Sequence, residues 1–429
     1  MHAWKKPALN IFSVGEYPPF PGGAAISGAT ICRELARIGH KITVFTQEYG
    51  GKLAPKIPGV KFVLVKTKRV LDTDRATIQL AGRRRQGEGL GGEIAKLPFI
   101  RAIEREMKFQ RPDVMIVNYG VPYANFVMPL AKRTGIPVIT VLRGSDVHVL
   151  PLPGYRRTKK AILEAYGKSD AIVTVSDYLR KLLAGLGEKR AVTFRNAIDA
   201  KQFIPLEKKE IESGRKRIGI PADATVFAHV STLKPVKQPL KIILAAEIAL
   251  KKNPGLYFLV VGNGELAPEM KKKVGEKGLG KRIKFMGEST LEKVRTYLGL
   301  SDALVMASER EGLPRAVLEA IALGKPVIST RAGGIPEVVK HNSTGFLYEY
   351  GDINQLARYM LLMDNPLVKK RLSRATAELS KTMSLERTVA KYDALIRRVS
   401  RNRNMVTQTP GRQVSRDKIT GKRTSRKPF

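Results

Sequence analysis

The sequence predicts an α/β protein with two doubly wound, Rossmann-like domains that face each other across a cleft. Short apolar strand candidates alternate with helical patterns through most of the chain, which is the rhythm of parallel βαβ units. A chain of 429 residues is long for a single hydrophobic core. A polar, charged stretch at about 205–223 separates the strand candidates into two groups, so each group predicts one domain.

The first predicted domain covers residues 1–205. Its strand candidates are LNIFSV, KITVFT, KFVLVK, VMIVN, PVITVL and AIVTVS. Residues 70–95 fit no clear element. They include the run Arg83, Arg84 and Arg85, which is either a solvated surface or a contact with lipid or substrate.

The second predicted domain covers residues 206–379. Its strand candidates are TVFAHV, YFLVV, IKFMG, ALVMAS, PVIST and GFLYE, and the charged stretch before them could hold a short helix. Residues 380–400 look helical and are expected to pack back on the first domain. Residues 401–429 are rich in basic and small polar side chains with almost no core residues, so we expect a basic disordered tail.

Composition excludes several classes of protein. No apolar run approaches the ~18 residues that a membrane-spanning helix needs, and the N-terminal sequence enters a strand-like run instead of a signal peptide. The only cysteine, Cys32, excludes a disulfide framework and a cysteine-based metal site. We therefore expect a soluble, cytoplasmic protein.

The net charge of +39 is unevenly distributed. Residues 1–205 hold 34 basic and 16 acidic side chains, and residues 397–429 hold eleven basic and one acidic. This excess favours an anionic partner: a lipid surface, a nucleic acid or a phosphorylated substrate. Because no basic motif is interleaved with aromatic residues, no nucleic acid partner is expected. The charge predicts peripheral contact with the anionic inner face of a membrane, although a merely solvated basic surface would look the same.

The carboxylates of Glu311 and Glu319 mark the stretch SEREGLPRAVLEAIALGKPVIST. Pro314 is predicted at the first helical position and Gly324 at the end of that helix. The N–H groups of residues 313–316 would then form an anion site suited to a diphosphate. Glu319, inside an otherwise apolar helix, could reach the crevice at the carboxyl ends of the strands and accept from ribose hydroxyls. The alternative is a structural Glu319 paired with a neighbouring Lys or Arg.

The stretch from Glu311 to Glu337 reads E-G-L-P-x4-E-A-x-A-x-G-K-P-V-I-x-T-x-A-G-G-x-x-E. It resembles the E-x7-E block of the retaining glycosyltransferases of family 4, which have the GT-B fold. Further segments resemble this family in the expected order and spacing: YPPFPGGAAISGATICRELARIGHKITVFT at 17–46, RNAIDAKQF at 195–203, VVGNGEL at 260–266 and TGFLYEYGD at 344–352.

The resemblance implies transfer of a sugar, with retention, from a nucleotide-diphosphate donor to a hydroxyl of a glycan or lipid-linked acceptor, in cell-surface polysaccharide or glycolipid synthesis. UDP-linked donors are the default, and neither a further cofactor nor a metal is implied. Glu311 would contact the donor sugar, Glu319 the ribose and Lys237 the departing diphosphate, and Arg143, which departs from the family pattern, is a further catalytic candidate for the diphosphate. The remaining nucleotide-sugar contacts would come from Gly22, Gly23, Ser231, Thr232, Gly262, Gly312, Leu313 and Pro314.

The sequence departs from the family pattern at two places. The family has G-R-L-x3-K-G at the start of the second domain, whereas here Ser231 and Thr232 stand where Gly and Arg are expected, and Lys237 keeps the Lys position. A missing guanidinium at the diphosphate would cost about a few kcal/mol of transition-state stabilisation, for which Lys234 is a partial replacement.

The second departure lies in VITVLRGSDVHVL, where many relatives have His and this chain has Arg143. Arginine cannot act as a base at neutral pH, but it can hold a phosphate or a sugar hydroxyl. Asp146 either orients Arg143 or an acceptor, or only organises its loop. His40, His148 and His229 lack metal-ligand spacing and are interpreted as structural or solvated.

Three other functions stay open. A catalytically weak or inactive nucleotide-sugar-binding protein is compatible with Thr232 and Arg143. A nucleotide-sugar epimerase could use the same fold without an acceptor. A dinucleotide-dependent dehydrogenase is suggested only by the Rossmann-like halves, and SVGEYPPFPGG lacks a compact G-x-G-x-x-G.

Overall fold

The computed structural model describes residues 7–67 and 91–407. The first domain is built on a parallel seven-stranded sheet in the order β3-β2-β1-β4-β5-β6-β7. Its strands are β1 Asn10–Gly15, β2 Lys41–Gln47, β3 Val60–Val65, β4 Val114–Asn118, β5 Val138–Leu142, β6 Ala171–Thr174 and β7 Val192–Thr193. Its helices are α1 Gly23–Arg37, α2 Gly91–Met107, α3 Tyr123–Thr134, α4 Ser145–His148, α5 Arg156–Gly167 and α6 Asp177–Gly185.

The second domain repeats this plan on a parallel six-stranded sheet in the order β10-β9-β8-β11-β12-β13. Its strands are β8 Thr225–Val230, β9 Leu256–Val261, β10 Ile283–Gly287, β11 Ala303–Val305, β12 Val327–Thr330 and β13 Gly345–Tyr348. The helices from the linker onward are α7 Lys208–Arg217, α8 Pro239–Lys252, α9 Ala267–Glu276, α10 Leu291–Leu300, α11 Arg315–Ala322, α12 Ile335–Val338, α13 Ile353–Leu362 and α14 Pro366–Lys381, followed by α15 Leu385–Thr407.

The predicted fold class of two facing, doubly wound domains is confirmed. Every predicted strand is present, because most of the strands are buried on both faces and therefore read as continuous apolar runs. The edge strands β3 and β10 are only partly buried. The charged stretch between the domains contains a helix, α7, which the sequence allowed as an alternative to an irregular linker. Each sheet reverses its strand order beside its first strand, β1 or β8, and this reversal opens a crevice at the carboxyl ends of the strands.

The last helix, α15, returns to the first domain after the second domain is complete. Val389, Tyr392 and Ile396 of α15 pack in one apolar cluster with Ile11 and other residues of the first sheet. His40 Nε2 lies 2.8 Å from a carboxylate oxygen of Asp393, at the same interface. The helix reaches Thr407, beyond the predicted start of the tail at 401, and residues 408–429 of that tail lie outside the described residues.

The Arg83 to Arg85 run also lies outside the described residues, since description stops at residue 67 and resumes at residue 91. Cys32 is buried within α1. Among the residues that are described, no helix combines the length and the apolar character that crossing a membrane requires.

Candidate active site

The carboxyl ends of the two sheets face each other, and their loops touch. A Cβ added at Gly312 would lie 2.0 Å from the carbonyl oxygen of Arg143, so only glycine permits this approach between the domains. Asn196 Nδ2 donates to the carbonyl oxygen of Leu313 at 2.9 Å. Leu313 and Ile335 of the second domain share an apolar cluster with Leu179 of the first. The cleft is therefore closed along this side.

Glu311 and Lys237 form an ion pair within the cleft. Lys237 ends the short turn after β8, and its Nζ donates to both carboxylate oxygens of Glu311 at 2.8 and 2.9 Å. The Glu311 residue is only 6% exposed. Because a buried carboxylate is costly without a charged partner, the lysine fixes the position of the acid as well as balancing its charge. The two residues predicted to meet the donor sugar and diphosphate are thus adjacent.

His148 reaches across the cleft to the same loop. Its Nε2 lies 2.9 Å from the carbonyl oxygen of Glu311, and since a carbonyl can only accept, this nitrogen carries the proton. Burial lowers the pKa of His148. On the other side of the loop, a Cβ at Gly333 would lie 1.6 Å from the same carbonyl oxygen. The contact with Glu311 was not foreseen from the sequence, because nothing local to His148 indicates it.

Helix α11 begins one residue later than predicted. Pro314 is its N-cap residue, with extended backbone angles, and Arg315 is the first helical residue. Pro314 therefore precedes the first turn, and the placement of this proline at the first helical position was wrong by one residue, within the usual variation of helix ends. Gly324 has a φ of 69° after the last turn, as a helix end requires.

Glu319 is paired with Arg315, one turn earlier in α11. Arg315 Nε donates to Glu319 Oε1 at 2.6 Å, and Glu319 is 4% exposed. Burial raises the pKa of Glu319, and the neighbouring Arg315 opposes that rise. The pairing corresponds to the structural alternative for this acid, so the contact with a ribose stays a prediction.

The N-termini of α1 and α11 meet in the cleft. Gly22 is the N-cap of α1 with a φ of 122°, a conformation that favours glycine. A Cβ added at Gly23 would lie 3.3 Å from the Cβ of Arg315. The positive ends of two helix dipoles and their unpaired N–H groups therefore converge, which suits an anion.

Arg143, at the end of β5, is held by two asparagine side chains. Its Nε and Nη2 donate to Asn118 Oδ1 at 2.9 and 2.7 Å, and its Nη1 donates to Asn196 Oδ1 at 2.8 Å. The guanidinium is thus fixed at the crevice of the first sheet. Asn118 ends β4 and carried no sequence signal, whereas Asn196 lies in the recognisable RNAIDAKQF segment.

Asp146 organises the loop that carries Arg143. The carboxylate accepts from the backbone N–H groups of Gly120, Arg143 and Gly144 at 2.7 to 3.0 Å, and the residue is 0% exposed. Burial raises the pKa of Asp146, against the effect of those three donors. This geometry favours the loop-organising alternative over contact with an acceptor.

Ser231 and Thr232 follow β8, close to the loop after β9. The N–H of Ser231 donates to the carbonyl of Val261 at 3.1 Å, and a Cβ at Gly262 would lie 1.9 Å from the carbonyl oxygen of Ser231. The Ser231 hydroxyl lies 2.8 Å from Nε2 of His229, whose pKa burial lowers to about 4. Thr232 is half-buried.

No group of three or more His, Cys, Asp or Glu side chains in the described part of the chain is placed to hold a metal ion.

Two parallel, doubly wound sheets that face each other, with converging helix N-termini and a Lys–Glu pair between them, have the arrangement of the GT-B class of glycosyltransferases. Residues 21–202 match the profile of the family described as Glycosyltransferase Family 4, and residues 210–378 match that of Glycosyl transferases group 1. The chain belongs to the family 4 glycosyltransferases.

Relatives and solved structures agree. N-acetyl-alpha-D-glucosaminyl L-malate synthase of Bacillus anthracis is 28% identical over 387 residues, which are 88% of this chain and 94% of that protein. D-inositol 3-phosphate glycosyltransferase of Thermobispora bispora is 26% identical over 80% of this chain and 82% of its own. The structure of HepE from Anabaena with UDP and glucose has a TM-score of 0.73 at 17% identity, over 91% of this chain and 100% of that one. This likeness shows the GT-B fold.

Proposed function

We propose that this glycosyltransferase moves a sugar, with retention of configuration, from a UDP-linked donor to a hydroxyl of an anionic or lipid-linked acceptor. The observation that carries the proposal is the Lys237–Glu311 pair, placed beside the converging N-termini of α1 and α11. A carboxylate for sugar hydroxyls, a cation for the leaving group and two anion-binding helix ends together match what such a donor presents.

In the proposed reaction the bond between the anomeric carbon and the diphosphate oxygen breaks, and a bond from that carbon to the acceptor oxygen forms on the same face. The acceptor proton passes to the departing diphosphate. Lys237 and the helix N-termini stabilise the charge that develops on the diphosphate, and Glu311 holds the sugar hydroxyls. Arg143 faces the crevice of the first domain and is assigned to a negative group of the acceptor or donor.

The names and bound ligands of similar proteins support the choice of donor and acceptor. The HepE structures contain UDP, UDP-glucose, or UDP and glucose. Several relatives are named for anionic acceptors, among them L-malate and D-inositol 3-phosphate, and another is named for a phosphatidylinositol mannoside. A negatively charged acceptor would also suit the basic first domain.

The donor site is tested by calorimetric binding of UDP, GDP, ADP and dTDP to the wild type and to Glu319→Ala. We expect UDP to bind, and the substitution to remove most of its affinity. Transfer to candidate acceptors, followed by NMR of the new anomeric centre, then tests retention. Binding without transfer or hydrolysis would favour the non-catalytic alternative, and conversion of the donor alone to another sugar would favour an epimerase.

We further propose that the first domain meets an anionic membrane surface near the acceptor. A groove of about 470 Å³ lies between α5 and the loop after α6, and its lining combines three cations and two leucines with one glycine and two acids: Arg156, Lys159, Lys160, Leu163, Leu186, Gly187, Glu164 and Glu188. The loop that precedes α5 exposes Leu152. This loop follows α4, the helix that carries His148. Cations around apolar side chains suit a negatively charged lipid surface.

Co-sedimentation with vesicles tests this contact. Vesicles with about a third anionic lipid should retain the wild type, and neutral vesicles should not, because the attraction is electrostatic. Replacing Lys159 and Lys160 by Gln should weaken retention, while the same change at the exposed Lys251 and Lys252 of the second domain should not. Equal retention on neutral vesicles would contradict the proposal.

A further inference from the structure

Arg315, the first residue of α11, is a cation in a place that does not favour one. The positive end of a helix dipole repels a cation, and an arginine four residues before a glutamate is the less favourable order for such a pair. The Arg315 residue is also only 6% exposed. An ion pair with these costs is a poor means of stabilising the helix.

The guanidinium of Arg315 has unused hydrogen-bonding capacity. Its Nε donates to Glu319, but its Nη1 is buried and has no acceptor within the described parts of the chain. A buried donor without an acceptor destabilises the folded protein, and an arginine carries five N–H donors in a planar fork. The geometry therefore indicates that this group meets an acceptor that does not belong to the described residues.

The position of Arg315 indicates what that acceptor is. Its Cβ lies 3.3 Å from where a Cβ of Gly23 would be, so the side chain leaves α11 where the N-terminus of α1 approaches. Two helix N-termini and a guanidinium together attract an anion with several oxygens. Under the proposed function, this is the place of the diphosphate.

We infer that Arg315 binds the donor diphosphate and replaces the arginine that the family carries where this chain has Thr232. This inference rests on the proposed function. In the unliganded protein Glu319 holds the guanidinium. When the donor binds, ribose hydroxyls take over the carboxylate, and the guanidinium turns to the diphosphate. Neither the carboxylate nor the guanidinium is left without a partner in either state.

Calorimetry with UDP and uridine separates this role from a structural one. In Arg315→Gln, we expect UDP affinity to fall about tenfold to a hundredfold, the range for a lost charge-assisted hydrogen bond. Uridine affinity should stay the same or rise, because the substitution frees Glu319. Arg315→Lys should give an intermediate UDP affinity, since it keeps the charge and loses the fork. The matched control is Arg374→Gln, an exposed arginine of α14, which should leave both affinities unchanged.

A rescue experiment sharpens the assignment. Adding Thr232→Arg to Arg315→Gln should restore UDP affinity to within several-fold of the wild type, because it returns a guanidinium to the family position. Equal losses for UDP and uridine in Arg315→Gln would show that Arg315 only supports Glu319, and would overturn the inference. Unchanged UDP affinity would overturn it too. If the wild type binds none of UDP, uridine, GDP and guanosine, the proposed function itself is refuted, and the inference with it.

Discussion

At the scale of single residues, Lys237 is the group we expect to matter most for the reaction rate. Lys237→Met keeps the length of the side chain and removes the charge that would stabilise the departing diphosphate. We expect the transfer rate constant kcat to fall about 10²- to 10³-fold, the usual cost of losing one preorganised electrostatic donor. The rate is measured by release of nucleoside diphosphate at saturating donor.

The control for this prediction is Lys251→Met, a change of equal size on an exposed face of α8. Because Lys237 also holds the buried Glu311, thermal unfolding should be measured in parallel. A folded Lys237→Met protein with wild-type kcat would contradict the assignment of the leaving-group charge to this lysine.

His229 makes stability depend on pH. Its Nδ1 lies 3.0 Å from the carbonyl of Val305 and its Nε2 lies 2.8 Å from the Ser231 hydroxyl, so the neutral ring is satisfied on both sides. Burial lowers its pKa from 6.5 to about 4. Between pH 6.5 and 4 the unfolded chain binds the proton and the folded protein does not, so the free energy of unfolding falls as the pH falls, by up to about 1.4 kcal/mol per pH unit.

Urea unfolding at pH 7.0, 6.0 and 5.0 checks this dependence. His229→Gln removes the titrating group, so its stability should fall less steeply over the same range. Parallel pH profiles for the two proteins would show that other groups cause the loss.

The residues of the site divide by how they could be recognised. Glu311, Glu319, Lys237 and the glycines were predicted because they sit in local motifs with fixed spacing. Asn118 was missed, and His148 was interpreted only as structural or solvated, because their contacts with Arg143 and Glu311 join segments far apart in the chain. Arg315 was not singled out, since its burial and its unused donor exist only in the folded protein.

At the scale of elements, long buried strands were predictable and short ones were not. The predicted strands agree with the structure to within a few residues, because continuous β-branched runs are typical of strands covered on both faces. Strand β7 was missed because its two residues are too few to form a pattern. Strand β7 is recognised only by its pairing with β6 in the folded protein.

Helix α15 should stabilise the first domain although it follows the second. Ile396 is fully buried against the first sheet, so Ile396→Ala should reduce the free energy of unfolding by about 2–5 kcal/mol. Arg398→Ala, on the exposed face of the same helix, should change it by less than about 0.5 kcal/mol. Urea unfolding gives both values.

Amide hydrogen exchange shows which part of the protein loses stability in Ile396→Ala. Exchange in β1 and β4 should accelerate in Ile396→Ala, while exchange in β8 and β9 should not, because α15 packs on the first sheet. If exchange accelerates only in the second sheet, α15 does not stabilise the first domain.

At the scale of the whole molecule, the candidate site is divided between the two domains. The Lys237–Glu311 pair belongs to the second domain, whereas Arg143 and His148 belong to the first. Contacts across the cleft join the two halves: Arg195 and the N–H of Tyr178 both reach Glu337. We therefore expect catalysis to require closure of the two domains, and nucleotide binding to depend mainly on the second domain.

Gly312→Ala separates these two requirements. The added methyl would lie 2.0 Å from the carbonyl oxygen of Arg143, so the domains must move apart to accept it. We expect UDP affinity to change only a few-fold and transfer to fall by about 10²-fold or more, because small displacements of reacting groups are costly. Small-angle X-ray scattering should show a larger radius of gyration. Gly275→Ala, in α9 with open space at its Cβ, should change none of these quantities. If Gly312→Ala reduces UDP affinity and the transfer rate in equal proportion, the substitution acts through donor binding alone. That result would contradict the role of Gly312 in closure of the two domains.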